Sequence, residues 1–206
     1  GVGCVWSMDQ PLPIAKLDHN KEAVLRCAWS PDGQMVATGT DTGRVRLWDP
    51  TRPVVPFTEL SCDDQQVFGI SFLSTPGRLV TGAGSDITVW DIETQTAISK
   101  HSMALSENGV VFGGVRNEDS SAYVFDLVCP TSSPAIVAAV SDGTVRVFDP
   151  AFSRPGAILR GHAHGVTAVV LGQSGTTIVS ASADSSAVVW DVRRGPRLRL
   201  EGHNGT

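Results

Sequence analysis

No apolar run among the 206 residues approaches the roughly 20 needed for a membrane-spanning helix. The four cysteines (Cys4, Cys27, Cys62 and Cys129) lack C-x-x-C spacing, which disfavours a zinc ribbon or a dithiol motif. They read as reduced thiols of an intracellular protein, cytoplasmic or nuclear. Positive charge is also short: the net charge is −5, so no global basic field attracts nucleic acid. No stretch keeps a 3.6-residue apolar period, which argues against amphipathic helices. No G-x-S-x-G nucleophile elbow occurs.

What is present is punctuation and repetition. With 21 Gly, 12 Pro and 41% hydrophobic residues, the chain suits a turn-rich globular fold with a sizeable core. Five short apolar runs end on an aromatic followed by a polar residue: "GVGCVWS", "GRVRLWD", "DITVWD", "GTVRVFD" and "SAVVWD". Their aromatics, Trp6, Trp48, Trp90, Phe148 and Trp190, are spaced by 42, 42, 58 and 42 residues. Each unit contains an apolar run of strand length, a Pro/Gly/Asp/Ser turn and a second run, as in "AVLRCAWSPDGQMVATGT" (23–40) and "GVTAVVLGQSGTTIVSAS" (165–182). A unit of about 42 residues with four short strands is a propeller blade.

"LRGHAHGVTAVV", "SASADSSAVVWD" and "LEGHNGT" add Gly-His and Trp-Asp pairs at that spacing. On these motifs the chain resembles the WD-repeat family over nearly its whole length. The resemblance implies an all-β propeller: a half-blade at 1–17, blades at 18–60, 61–100, 101–160 and 161–200, and the start of another repeat at 201–206. About four and a half blades of a seven-bladed ring, opening on Gly1 without methionine, predict a piece of a longer protein.

His162, Ser180 and Asp184 carry the side chains of a hydrolase triad. A nucleophile also needs an exposed, activated Oγ, an oxyanion hole and a cleft. The resemblance implies another role, a structural tetrad of His162, Ser180, Asp184 and Trp190. The other blades depart from it. In the first, His19 and Thr38 align but Thr42, beside Asp41, takes the aspartate place. In the second, Cys62 replaces the histidine and Gly84 occupies the hairpin. In the third, Asp142 is present but Ala138 and Phe148 stand for the hydroxyl and the tryptophan. The fourth blade is therefore expected to be the best stapled. His162-x-His164 lacks cysteine or carboxylate partners and makes a weak metal site. No cofactor, metal or catalytic residue is assigned.

A propeller presents loops on a rigid disc, and the resemblance implies partner docking at the top rim and central mouth. Aligned strand starts place Leu25, Gln66, Phe68, Val124 and Thr167 there, beside Ala23, Ala122 and Gly165, with Asp41, Ser141 and Ala183 from hairpins. Leu25 and Phe68 would be apolar anchors, and Asp41 a polar rim contact. The long third step places an insertion within 99–121, a second candidate docking element. The expected role is a non-catalytic scaffold subunit of a hetero-oligomeric assembly, binding proteins or peptides rather than nucleic acid or membrane. The alternative is a receptor of a cullin-4 RING ubiquitin ligase. Residues 178–193 resemble a WDxR box, and Arg193 is the adaptor contact because no other repeat places Arg two residues after its Asp. "RRGPRLR" (193–199) reads as a solvated outer edge.

Overall fold

A computed structural model describes residues 1–52, 56–103, 122–154, 156–172 and 175–203. Among these the chain is all β, with no helix. A two-stranded sheet of β1 (Val2–Trp6) and β2 (Pro13–Asp18) comes first. Four antiparallel four-stranded sheets follow. The first has β3 (Val24–Trp29), β4 (Val36–Thr40), β5 (Arg44–Trp48) and β6 (Thr58–Ser61). The second has β7 (Val67–Phe72), β8 (Arg78–Ala83), β9 (Asp86–Asp91) and β10 (Thr96–Ser102). The third has β11 (Val124–Val128), β12 (Ile136–Val140), β13 (Thr144–Phe148) and β14 (Ala157–Arg160). The fourth has β15 (Val166–Leu171), β16 (Thr177–Ser182), β17 (Ser186–Asp191) and β18 (Gly195–Glu201). Each is a meander with strands paired in sequence order, the topology of a propeller blade.

The apolar pattern explains this stacking. Second strands such as β4 (VATGT) and β12 (IVAAV) are buried at every position, because a neighbouring sheet covers each face. They therefore read as continuous runs of small and β-branched residues rather than as alternations. The outer strand β6 alternates, with Thr58 and Leu60 inward and Glu59 and Ser61 outward. Core clusters lie between successive sheets: Leu17 with Trp48, Leu47 with Val67 and Leu79, Val80 with Val124 and Ile136, Val145 with Val166 and Trp190. Burying each large side chain contributes roughly 1.5–3 kcal/mol.

Glycine sets how closely blades approach. A Cβ on Gly39 would fall 2.6 Å from Val67 Cγ1, and one on Gly82 the same distance from Val124 Cγ1. Each valine begins the inner strand of the next blade and nests on the bare backbone of the preceding one.

Candidate partner-binding site

His162 lies in the loop from β14 to β15, Ser180 on β16, Asp184 in the β16–β17 hairpin and Trp190 on β17. The fold brings all four together. Trp190 Nε1–H donates to Ser180 Oγ at 2.8 Å, and Ser180 Oγ lies 2.8 Å from His162 Nε2. His162 Nδ1 is 3.0 Å from Asp184 Oδ2. One proton arrangement satisfies every pair: the Ser180 hydroxyl donates to Nε2, and Nδ1–H donates to the carboxylate. Asp184 also accepts from the Ser186 hydroxyl (2.6 Å), the Ala163 N–H (2.9 Å) and Arg199 Nη2 (3.0 Å). Burial alone would raise its pKa, but the hydrogen bonds from Ser186, Ala163 and His162 outweigh it and hold the carboxyl well below the usual carboxylate range. Ser180 is 0% exposed, so its Oγ is closed to any substrate. The cluster is a knot of satisfied polar groups rather than an open nucleophile.

The equivalent place in each other blade holds a different solution. His19, 0% exposed, packs edge-on against Trp48, whose Nε1–H donates to Thr38 Oγ1. Arg46 then enters the cluster, with Nη1 3.2 Å from His19 Nδ1, and forms ion pairs with Glu22 and Glu59. Burial first, then the Arg46 charge, lowers the His19 pKa and keeps the ring neutral. With Nδ1 accepting from Arg46, Nε2 carries the proton and finds no partner among the described residues. In the next blade Cys62 Sγ lies 3.5 Å from Thr81 Oγ1, which accepts Trp90 Nε1–H. Lys100 bridges Asp63 and Asp86 beside it. The third blade is apolar here: Met103, Ala138 and Phe148 are buried in one cluster. Its hairpin Asp142 instead binds Arg146 at 2.5 Å and the Thr144 hydroxyl at 2.6 Å.

The rim carries a regular feature. Each inner strand has a register shift at its start, between Val24 and Arg26, Val67 and Gly69, Val124 and Asp126, and Val166 and Ala168. The bulged residues are Leu25, Phe68, Phe125 and Thr167. A bulge bends the strand and re-aims a side chain. Phe68 and Phe125 are half-buried and meet edge to face at 6.4 Å. Arg26 donates to Leu25 O at 3.0 Å and, across the second blade, to Phe125 O at 3.1 Å. Arg26 thus ties the Leu25 and Phe125 backbones together, and Phe68 packs against Phe125.

This placement corrects one candidate. Val124 is 0% exposed, part of the core cluster and closed to a partner; Ala122 is buried beside it. The sequence alignment slips by one residue in the third blade, and in a strand that turns every side chain to the other face. Hydrogen bonds fix the true register: Asp41 Oδ1 accepts the Ala23 N–H and Ser141 Oγ accepts the Tyr123 N–H, so Tyr123 stands where Ala23 does. Tyr123, 47% exposed, and Phe125 are the rim residues that sequence reasoning missed. Gln66 and Thr167 are exposed, with the Thr167 hydroxyl donating to Ala181 O; Leu25 and Ala183 are half-buried. Asp41 and Ser141 spend an acceptor on capping the strand starts. The 104–121 part of the insertion lies outside the described residues. Arg193 sits exposed in the β17–β18 turn, with no ion pair among the described residues. Arg199 is exposed too, but it also donates to Gly161 O at 2.6 Å.

The family "WD domain, G-beta repeat" matches residues 12–49 and 153–191. These spans run from β2 to β5 and from just before β14 to β17, so each repeat joins the outer strand of one sheet to three strands of the next. The unmatched units are those with Cys62 and Met103 in place of a histidine. Similar proteins include the U3 small nucleolar RNA-associated protein 15 homolog of Gallus gallus, 27% identical over 94% of this chain and 34% of that protein. Striatin-4 of Homo sapiens is 25% identical over 85% of this chain and 22% of its own length. The guanine nucleotide-binding protein subunit beta of Solanum tuberosum is 27% identical over 86% of this chain and 47% of its own length. The chain thus spans less than half the length of each of these relatives. Over the two matched spans the repeat spacing and repeat-joining loops are those of WD repeats, and the four-stranded meanders are those of β-propeller blades.

Proposed function

We propose that this chain is a non-catalytic interaction module of a multi-protein assembly, which holds a partner protein or peptide against the mouth of its blades. The observation that carries the reading is the bulged cluster of Leu25, Phe68 and Phe125, with Tyr123 exposed beside it. Aromatic and long apolar side chains on a rigid rim are the usual anchors of an interface. The sealed Ser180 supports a non-catalytic role for the His162 cluster. Relatives named as an RNA-associated protein and as a subunit are in keeping with work inside assemblies. The net charge of −5 favours protein over nucleic acid as the direct partner.

The test is affinity purification of the natural full-length protein, as wild type and as a Phe68→Ala, Tyr123→Ser variant. Loss of at least one partner from a variant with an unchanged melting temperature is expected. Recovery of every partner would refute the mouth as the docking site. Deleting 105–118 in the same assay tests the insertion, with one further partner lost if it docks. A second reading, ligase-receptor activity, rests on the exposed Arg193 in its turn. It requires the cullin-4 adaptor to co-purify with wild type and to be lost in Arg193→Ala; its absence from the wild-type sample would remove that reading.

A further inference from the structure

Arginines in this protein follow a rule that Arg26 breaks. Among the described residues, every other arginine that is not exposed pairs with a carboxylate: Arg44 with Glu59, Arg46 with Glu22 and Glu59, Arg78 with Asp91, Arg146 with Asp142. Arg26 is half-buried, yet its two hydrogen bonds go to carbonyl oxygens, Leu25 O and Phe125 O. A guanidinium has five N–H donors, so three remain. Its charge is met by no carboxylate within ion-pair distance among the described residues. Asp126 feels its charge but lies beyond ion-pair distance, with its two oxygens accepting the N–H groups of Leu127 (3.0 Å) and Val169 (3.0 Å). A half-buried cation with no carboxylate in contact is costly, and the cost is recovered when an anion pairs with it.

The two carbonyl bonds hold the guanidinium plane between the first and third blades. Its carbonyl partners belong to Leu25 and Phe125, Phe68 packs on Phe125, and partial burial of the guanidinium strengthens a carboxylate pair. One cation inside an apolar rim suits one acidic side chain flanked by apolar residues. A nucleic acid would need several cations along its backbone, and the net charge of −5 opposes it.

We infer that the mouth takes a peptide segment bearing an acidic side chain, whose carboxylate pairs with Arg26 while its apolar neighbours pack on Leu25, Phe68 and Phe125. The inference rests on the mouth being the docking site, and the experiment separates the two. A library of random linear peptides is panned on the full-length protein, and selected sequences are synthesised as acidic and amide versions (Glu→Gln, Asp→Asn). Selected peptides should share Asp or Glu beside a large apolar residue. On wild type the amide version should bind about tenfold more weakly, the size of one charge-assisted pair. On Arg26→Gln the two versions should bind alike, and the comparison on wild type holds even if that variant is unstable. Equal binding of both versions to wild type, with binding still lost in Phe68→Ala, would overturn the acidic requirement and leave the mouth reading intact. Peptides indifferent to both Phe68→Ala and Tyr123→Ser would overturn the mouth reading itself. Arg26-dependent binding of a single-stranded oligouridine probe, with no peptide selected, would overturn the peptide class.

Discussion

Ser180 accepts from Trp190 and faces His162, so Ser180→Ala leaves an indole N–H and a ring nitrogen stranded in a buried place. The expected loss is about 1–3 kcal/mol, read from urea denaturation. Asp184 adds a pH signature. Its folded pKa is depressed, so its contribution is present above the unfolded value near ~3.9 and is lost as pH falls through the lower folded value. Wild type should therefore lose stability below about pH 4 more steeply than Asp184→Asn. Asp126 works in the opposite direction. Burial raises its pKa, against the Val169 N–H and the Arg26 charge, so the penalty appears as pH rises through the folded value. Asp126→Asn can still accept from Val169, and it should raise the melting temperature at pH 7 but not below the unfolded value near ~3.9. The register of the third blade gives a further contrast. Val124→Ala should cost about 2 kcal/mol through lost burial, whereas Tyr123→Ser, on the surface, should stay within about 0.5 kcal/mol.

At the scale of the blade, packing depends on side chains that are missing. Gly82→Ala would drive a Cβ to 2.6 Å from Val124, so the third blade must shift outward. Overpacking of this kind costs roughly 1–3 kcal/mol and should appear as a lowered melting temperature. Strands and their order were legible because a 42-residue recurrence of Trp-Asp and Phe-Asp marks the third strand of each blade. The His162 cluster was legible because its residues sit at fixed offsets within one repeat. The bulges were not, since one extra residue leaves no mark in composition, and the unequal turn of the third blade hid Tyr123 and Phe125 behind Val124. The Arg46 network with Glu22 and Glu59 was also hidden, because its members come from two strands and a loop. The His101 ring, 5.3 Å from Phe152 and 4.9 Å from Phe148, joins blades through contacts no motif announces.

For the whole molecule, the staples differ from blade to blade while the rim bulge recurs in all four. That contrast separates what holds the blades from what they present. Blade-to-blade stability can be met by a histidine cluster, a thiol, an arginine network or plain apolar packing. The rim instead gathers Leu25, Arg26, Phe68, Tyr123 and Phe125 from three blades that are far apart in sequence. The most direct test is amide hydrogen exchange of the full-length protein, alone and bound to a selected peptide. The account predicts new protection in 23–26, 65–69 and 122–126, with the turns at 30–35 and 193–195 unchanged. Protection confined to those two turns, with the rim exchanging as before, would contradict it.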